Sequence, residues 1–87
     1  MARDIEYEVE FRPAAVKDFD SLSPEIARRI LRKIERMRRG LVGDVKRLTN
    51  FTPEFRLRVG DYRVLFTITG GRIVVYRVLH RREAYDG

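Results

Sequence analysis

The chain has 87 residues, which leaves room for a single domain with one small core and too little for two domains or an elaborate cofactor pocket. Nineteen basic residues, sixteen of them arginine (all but Lys17, Lys33 and Lys46), stand against thirteen acidic ones. The net charge of +6 points either to a polyanionic partner or to a general compositional bias such as heat adaptation. With no cysteine, a disulfide framework and a thiolate zinc site are excluded; with no long apolar run and no leader-like start, a cytoplasmic domain without membrane contact is expected.

Tyr7, Val9 and Phe11 alternate with Glu6, Glu8, Glu10 and Arg12, the period of two of a half-buried strand with an acidic outer face. Pro13 suits a first helical turn, and Ala14, Ala15, Val16, Phe19 and Leu22 predict a short amphipathic helix ending near Ser21. Ser23 reads as the N-cap of a second helix, with Pro24 at its first position and Glu25 at the positive end of its dipole. Ile26, Ala27, Ile30, Leu31, Ile34 and Met37 form its apolar stripe, Arg28, Arg29, Arg32, Lys33, Arg36 and Arg39 face water or a partner, and Gly40 closes it.

Residues 41–53 keep neither period and predict a long connection that contributes to a surface site. Three strands follow. Phe55, Leu57 and Val59 alternate with Arg56 and Arg58, Gly60-Asp61 is a turn, Tyr62 to Thr69 alternates again, and Gly70-Gly71 is a second turn. Ile73 to Leu79 is apolar at almost every position, as in a strand covered on both faces. The expected fold is α+β, a single domain over 1–87 in the order β-α-α-β-β-β, with a helical hairpin on one face of an antiparallel four-stranded sheet.

Charge is divided between two sides. Residues 1–20 carry three cations against six carboxylates, so the rest of the chain sums to +9 and is the candidate working surface. A two-residue Gly60-Asp61 loop pairs Val59 with Tyr62, which sets Leu57 opposite Val64 and Phe55 opposite Phe66 on the helix side. On the open side Arg58 then lies across from Arg63, with Arg56 one pair further along. Directly opposed like charges are destabilising, and an anion laid on them relieves the cost. The competing outcome is that solvent screens them or that Glu6, Glu8 and Glu10 neutralise them. For Arg77, a tight Gly70-Gly71 loop gives the core side and a longer loop or a bulge gives the arginine side.

The terminus gathers the single histidine, His80, with Arg81, Arg82 and Tyr85, either as part of a site or as a frayed basic tail. One histidine and no carboxylate cluster argue against a metal site, and no nucleotide-binding glycine loop is present, so neither metal nor cofactor is expected. An arginine-rich site with one His and one Tyr suffices for RNA, because the 2′-OH is an internal nucleophile already beside its phosphate. Such a site cuts RNA, leaves DNA alone and yields a 2′,3′-cyclic phosphate.

Three stretches together carry a resemblance: Tyr7, Val9, Phe11, Pro13 and Ala15 at the start, the run from Arg56 to Val64 in the centre, and the run from Val78 to Tyr85 at the end. They resemble the RelE/ParE toxin superfamily over nearly the whole chain. On its RelE branch the resemblance implies a toxin of a type II toxin-antitoxin system, an mRNA interferase that acts in the ribosomal A site. By this resemblance Arg63 holds the scissile phosphate, Arg81 stabilises or protonates the leaving oxygen, and Tyr85 orients or deprotonates the 2′-OH. Arg56 and Arg58 stand where some relatives have lysines. Arginine keeps its proton, which shifts any acid–base role toward His80. Lys46, Arg47 and Arg82 join Arg56 and Arg58 as RNA-binding candidates. The implied partners are a RelB-like antitoxin, the ribosome and mRNA, with DNA reached only through the antitoxin. Two alternatives stay open: a ParE-like, non-enzymatic inhibitor of DNA gyrase, and a basic RNA-binding module or decayed toxin.

Overall fold

Every residue of 5–50 and 52–84 is described by the computed structural model. The elements run β1 (Glu8–Phe11), α1 (Pro13–Asp20), α2 (Pro24–Met37), β2 (Val45–Arg47), β3 (Phe55–Val59), β4 (Tyr62–Thr69) and β5 (Arg72–His80). The strands form one sheet in the order β1-β5-β4-β3-β2, with β1 parallel to β5 and the other neighbours antiparallel. Two expectations are corrected. The sheet has five strands, because the 41–53 connection contains β2, whose three residues are too few to display a period. It is mixed rather than antiparallel, since alternation reports which face a residue takes and not which way its strand runs.

The helices form where their terminal residues favour them. Ser23 caps α2 by accepting the Ile26 N–H at 3.3 Å, and Pro24 occupies the first turn, where no N–H is needed. In α1 no side chain caps the start, and Pro13 is the local signal that begins it. Ile30, Ile34 and Met37 of α2 and Ala15 of α1 meet Leu57, Val59, Val64, Phe66, Ile73, Val75 and Val78 in the core. Phe66 stacks on Phe55 and Phe11 meets Phe19 edge-on. Fully burying a side chain such as Phe66 or Ile30 stabilises by about 1.5–3 kcal/mol.

Both predicted hairpins form, and their registers answer the Arg77 question. Val59 pairs with Tyr62, Leu57 with Val64 and Arg58 with Arg63, as the two-residue turn dictates; Gly60 takes φ +59° there. Gly70 and Gly71, at φ +53° and +76°, make the second turn tight, so Thr69 pairs with Arg72. A bulge then shifts the register between Leu65 and Phe66: Phe66 pairs with Val75, Leu65 pairs with Arg77, and Tyr76 is the extra residue. Without that residue, Ile73 and Val75 could not share the core face with Val78.

Beyond Val75 the outer edge of β5 is no longer covered by β1, and Asp18 of α1 occupies it. Its Oδ2 accepts the Val78 N–H at 2.8 Å and the Arg77 Nε–H at 2.8 Å, while Oδ1 accepts from Arg77 Nη2 at 3.0 Å. Burial pushes the Asp18 carboxyl up, but the hydrogen bonds from Arg77 and Val78 and the charge of Arg77 outweigh it and hold it below its ordinary value. A carboxylate depressed in the folded state stabilises above its unfolded pKa of about 3.9, and that stability is lost as pH falls through the lower folded value. Asp18→Asn is therefore expected to cost about 1–3 kcal/mol at neutral pH. Urea unfolding as a function of pH checks this, with the gap to wild type closing below about pH 4.

Candidate nucleic-acid interface

Strand register sorts the basic residues into rows on the face the helices leave open. One row runs Arg58, Arg63, Leu79 across β3, β4 and β5; the next runs Lys46, Arg56, Leu65, Arg77 across β2 to β5. The expected juxtaposition of Arg58 with Arg63 is present, with Arg56 two residues along β3 on the same side. Arg77 belongs to this face by register, but its guanidinium is committed to Asp18.

The face has a floor and a rim. Arg63 is 4% exposed and Arg56 9%, beside the equally buried Leu65, whereas Lys46 and Arg58 are exposed. Arg63 Nη1 donates to the carbonyls of Gly60 and Tyr62, both at 3.1 Å, so the hairpin turn fixes its guanidinium plane. Asp44, just before β2, serves the other two arginines. Its backbone carbonyl accepts the Arg58 N–H at 3.0 Å and Arg56 Nη1 at 3.1 Å. Its carboxylate lies 3.3 Å from Arg56 Nη1 and 3.7 Å from Arg58 Nε. The carboxylates expected to compete for this cluster are engaged elsewhere: Glu8 with Arg72, Glu10 with Arg12 and Arg72, and Glu6 with Arg39. Asp44 was not foreseen, although extending the β2–β3 register by one residue would have placed it opposite Arg58.

The remaining candidates divide. Arg47 pairs with Phe55 on the helix side, its guanidinium 5.9 Å from the ring centroid, and so lies off the arginine face. It also lines a shallow concavity of about 500 Å³ with Leu48, Thr49, Asn50, Thr52 and Glu54. His80 is likewise away from the arginines. It pairs with Tyr62 on the helix side, meets that ring edge-on at 5.3 Å, and its Nδ1 accepts the Arg82 N–H at 3.2 Å. A bulge that turns Arg77 to the open face necessarily turns His80, three residues later, to the other. Arg81 and Arg82 are exposed in the turn after β5, and the Arg81 N–H donates to Asp61 O, which ties this turn to the β3–β4 hairpin. Tyr85 lies outside the described residues.

The described residues thus form a small α+β domain with an arginine-floored open sheet face, and no group of three His, Asp or Glu side chains able to hold a metal is found among them. Comparison with known proteins gives the family. Residues 9–85 match the model of the ParE toxin of type II toxin-antitoxin systems, parDE. A curated relative, Toxin RelE3 of Methanocaldococcus jannaschii, is 33% identical over 81 residues, covering 87% of this chain and 92% of the relative. The solved RelB–RelE antitoxin–toxin complex from Methanococcus jannaschii superposes with a TM-score of 0.71 at 31% identity, over 84% of this chain and 91% of that one. The toxin–antitoxin complex RelBE2 from Mycobacterium tuberculosis gives 0.76 at 28% identity, over 88% and 100%. The chain belongs to the RelE/ParE toxin family and is a RelE-type toxin of a type II toxin-antitoxin system.

Because His80 holds the turn after β5 rather than facing the arginines, His80→Ala is expected to cost about 0.5–1.5 kcal/mol of stability. His80→Asn, whose amide oxygen can accept in place of Nδ1, recovers part of it. Thermal unfolding of both variants provides the check.

Proposed function

We propose that this toxin is a metal-independent, ribosome-dependent endoribonuclease that cuts mRNA in the A site, and that a RelB-like antitoxin neutralises it. The observation that carries this reading is the set of Arg56, Arg58, Arg63 and Lys46 on one open sheet face, in a chain whose relatives bear RelE names. In the reaction the 2′-oxygen bonds to phosphorus as the bond to the 5′-oxygen breaks, giving a 2′,3′-cyclic phosphate and a 5′-hydroxyl. The 2′-OH loses a proton and the departing oxygen gains one. Arg58 and Lys46, at the rim, meet the RNA backbone first. Arg63, fixed to its own turn and almost fully buried, is the group that holds the non-bridging oxygens.

Arg81 supports charge on the leaving oxygen, and its turn is held to the hairpin through Asp61. With His80 on the helix side, Tyr85 is the remaining assigned group that can orient or deprotonate the 2′-OH. The +9 segment favours ribosomal RNA as the surface on which toxin and message meet, and a cytoplasmic site of action is part of this reading. The solved complexes of RelE relatives with RelB support the antitoxin partner; contact with DNA only through that antitoxin is part of the proposal. One observation favours a second reading: the matching family model is that of ParE, so a non-enzymatic gyrase inhibitor is the alternative.

Expression in cells followed by mapping of transcript ends separates the two. The proposal requires in-frame cuts on translated messages that vanish in Arg81→Ala, a change at an exposed side chain that leaves the backbone anchor to Asp61 in place. Intact messages together with trapped gyrase–DNA complexes transfer the assignment to the second reading. For Tyr85→Phe, cleavage falls at least about tenfold if the hydroxyl takes part in proton transfer, and single-turnover kinetics on programmed ribosomes measure it.

A further inference from the structure

Beside the Asp18 carboxylate that holds Arg77, a second carboxylate reaches the arginine rows of the open face, that of Asp44. Asp44 lies where the row of Arg58 and Arg63 would continue beyond β3, since Val45 pairs with Leu57 and the preceding position therefore falls opposite Arg58. Its backbone is pinned by the bond from the Arg58 N–H. The preceding Gly43, at φ +130°, lies so close to β3 that a Cβ there would sit 3.0 Å from Leu57 Cδ1. The carboxylate itself is half-exposed and spans two guanidiniums at 3.3 and 3.7 Å, distances too long for tight pairing. Arg56 also donates to the Asp44 carbonyl, a bond that any side chain at this position would preserve. What the carboxylate adds is charge, at the place where an RNA phosphate would otherwise contact Arg58.

We infer that Asp44 is a built-in counter-anion that occupies this phosphate seat and competes with RNA for Arg58 and Arg56. The inference rests on the reading of the open face as the RNA interface. The carboxylate relieves the repulsion between Arg58 and Arg63 in the free protein, and it lowers the grip of that face on single-stranded RNA in general. A message then has to be presented by other contacts before its phosphate displaces Asp44, which makes the face selective for RNA already held in place.

The test uses the full chain and a short single-stranded RNA carrying 2′-O-methyl groups, which binds but cannot be cut, with affinity measured across a salt series. Asp44→Asn is expected to bind roughly three- to tenfold more tightly at low salt. Its salt dependence should steepen by about 0.7, the increment for one further phosphate contact on a single strand. Asp44→Glu, which keeps the charge, should stay close to wild type. Glu25→Gln, an equal charge change at the start of α2, should also stay there. Unchanged or weaker binding by Asp44→Asn overturns the inference, as does a matching gain in Glu25→Gln, which would reduce the effect to net charge. Arg58→Gln separates this failure from failure of the interface itself. If it weakens binding while Asp44→Asn changes nothing, only the counter-anion is lost; if neither variant changes binding, the face is not the RNA seat and both readings fall.

Discussion

One residue too many in β5 organises the molecule. The tight glycine turn before β5 and the apolar faces of β4 and β5 cannot both be satisfied by a regular ladder over their full length, and Tyr76 absorbs the mismatch as a bulge. On one side of it Ile73 and Val75 face the helices; on the other Val78 does so again, while Arg77 and Leu79 turn to the open face. The bulge lies near the point where β1 leaves β5, and Asp18 reaches over that uncovered edge to bond Val78 and Arg77. Core packing, the seating of α1 and the composition of the basic face therefore meet at one place.

The same device separates groups that lie close together in sequence. Arg63 and Arg58 face each other on the open side, while His80, near the end of the meander, is directed to the helix side against Tyr62. The site that results is built almost wholly from guanidinium groups. Such groups hold and polarise a phosphodiester without exchanging protons, so proton movement in the proposed reaction falls to Tyr85 or to groups of the ribosome. Under the proposed reading, the incomplete acid–base set would be complemented by the RNA assembly on which the message is held.

Much of this was legible before any coordinates. The Gly60-Asp61 turn fixes the register of the β3–β4 hairpin, because a two-residue loop permits one pairing and the apolar alternation permits one facing. Ser23-Pro24 marks the start of α2 by capping chemistry alone. What escaped was whatever local periodicity does not carry. The three residues of β2 are too few for a pattern, the parallel direction of β1 leaves no trace in alternation, and the bulge could be inferred from the conflict over Arg77 but not followed through to its effect on His80. Asp44 escaped for a related reason: its partners lie across the sheet from a stretch that reads as irregular chain.

The parallel docking of β1 on β5 has a temporal consequence. Glu8 and Phe11 find their partners at Arg72 and Val75, so the earliest strand to be synthesised stays unpaired on its β5 side until the last has been made. Contacts that join the two ends of a chain are the slow part of a folding reaction. A copy still in synthesis therefore carries this seam open, with the β5 side of Glu8–Phe11 waiting for the end of the chain.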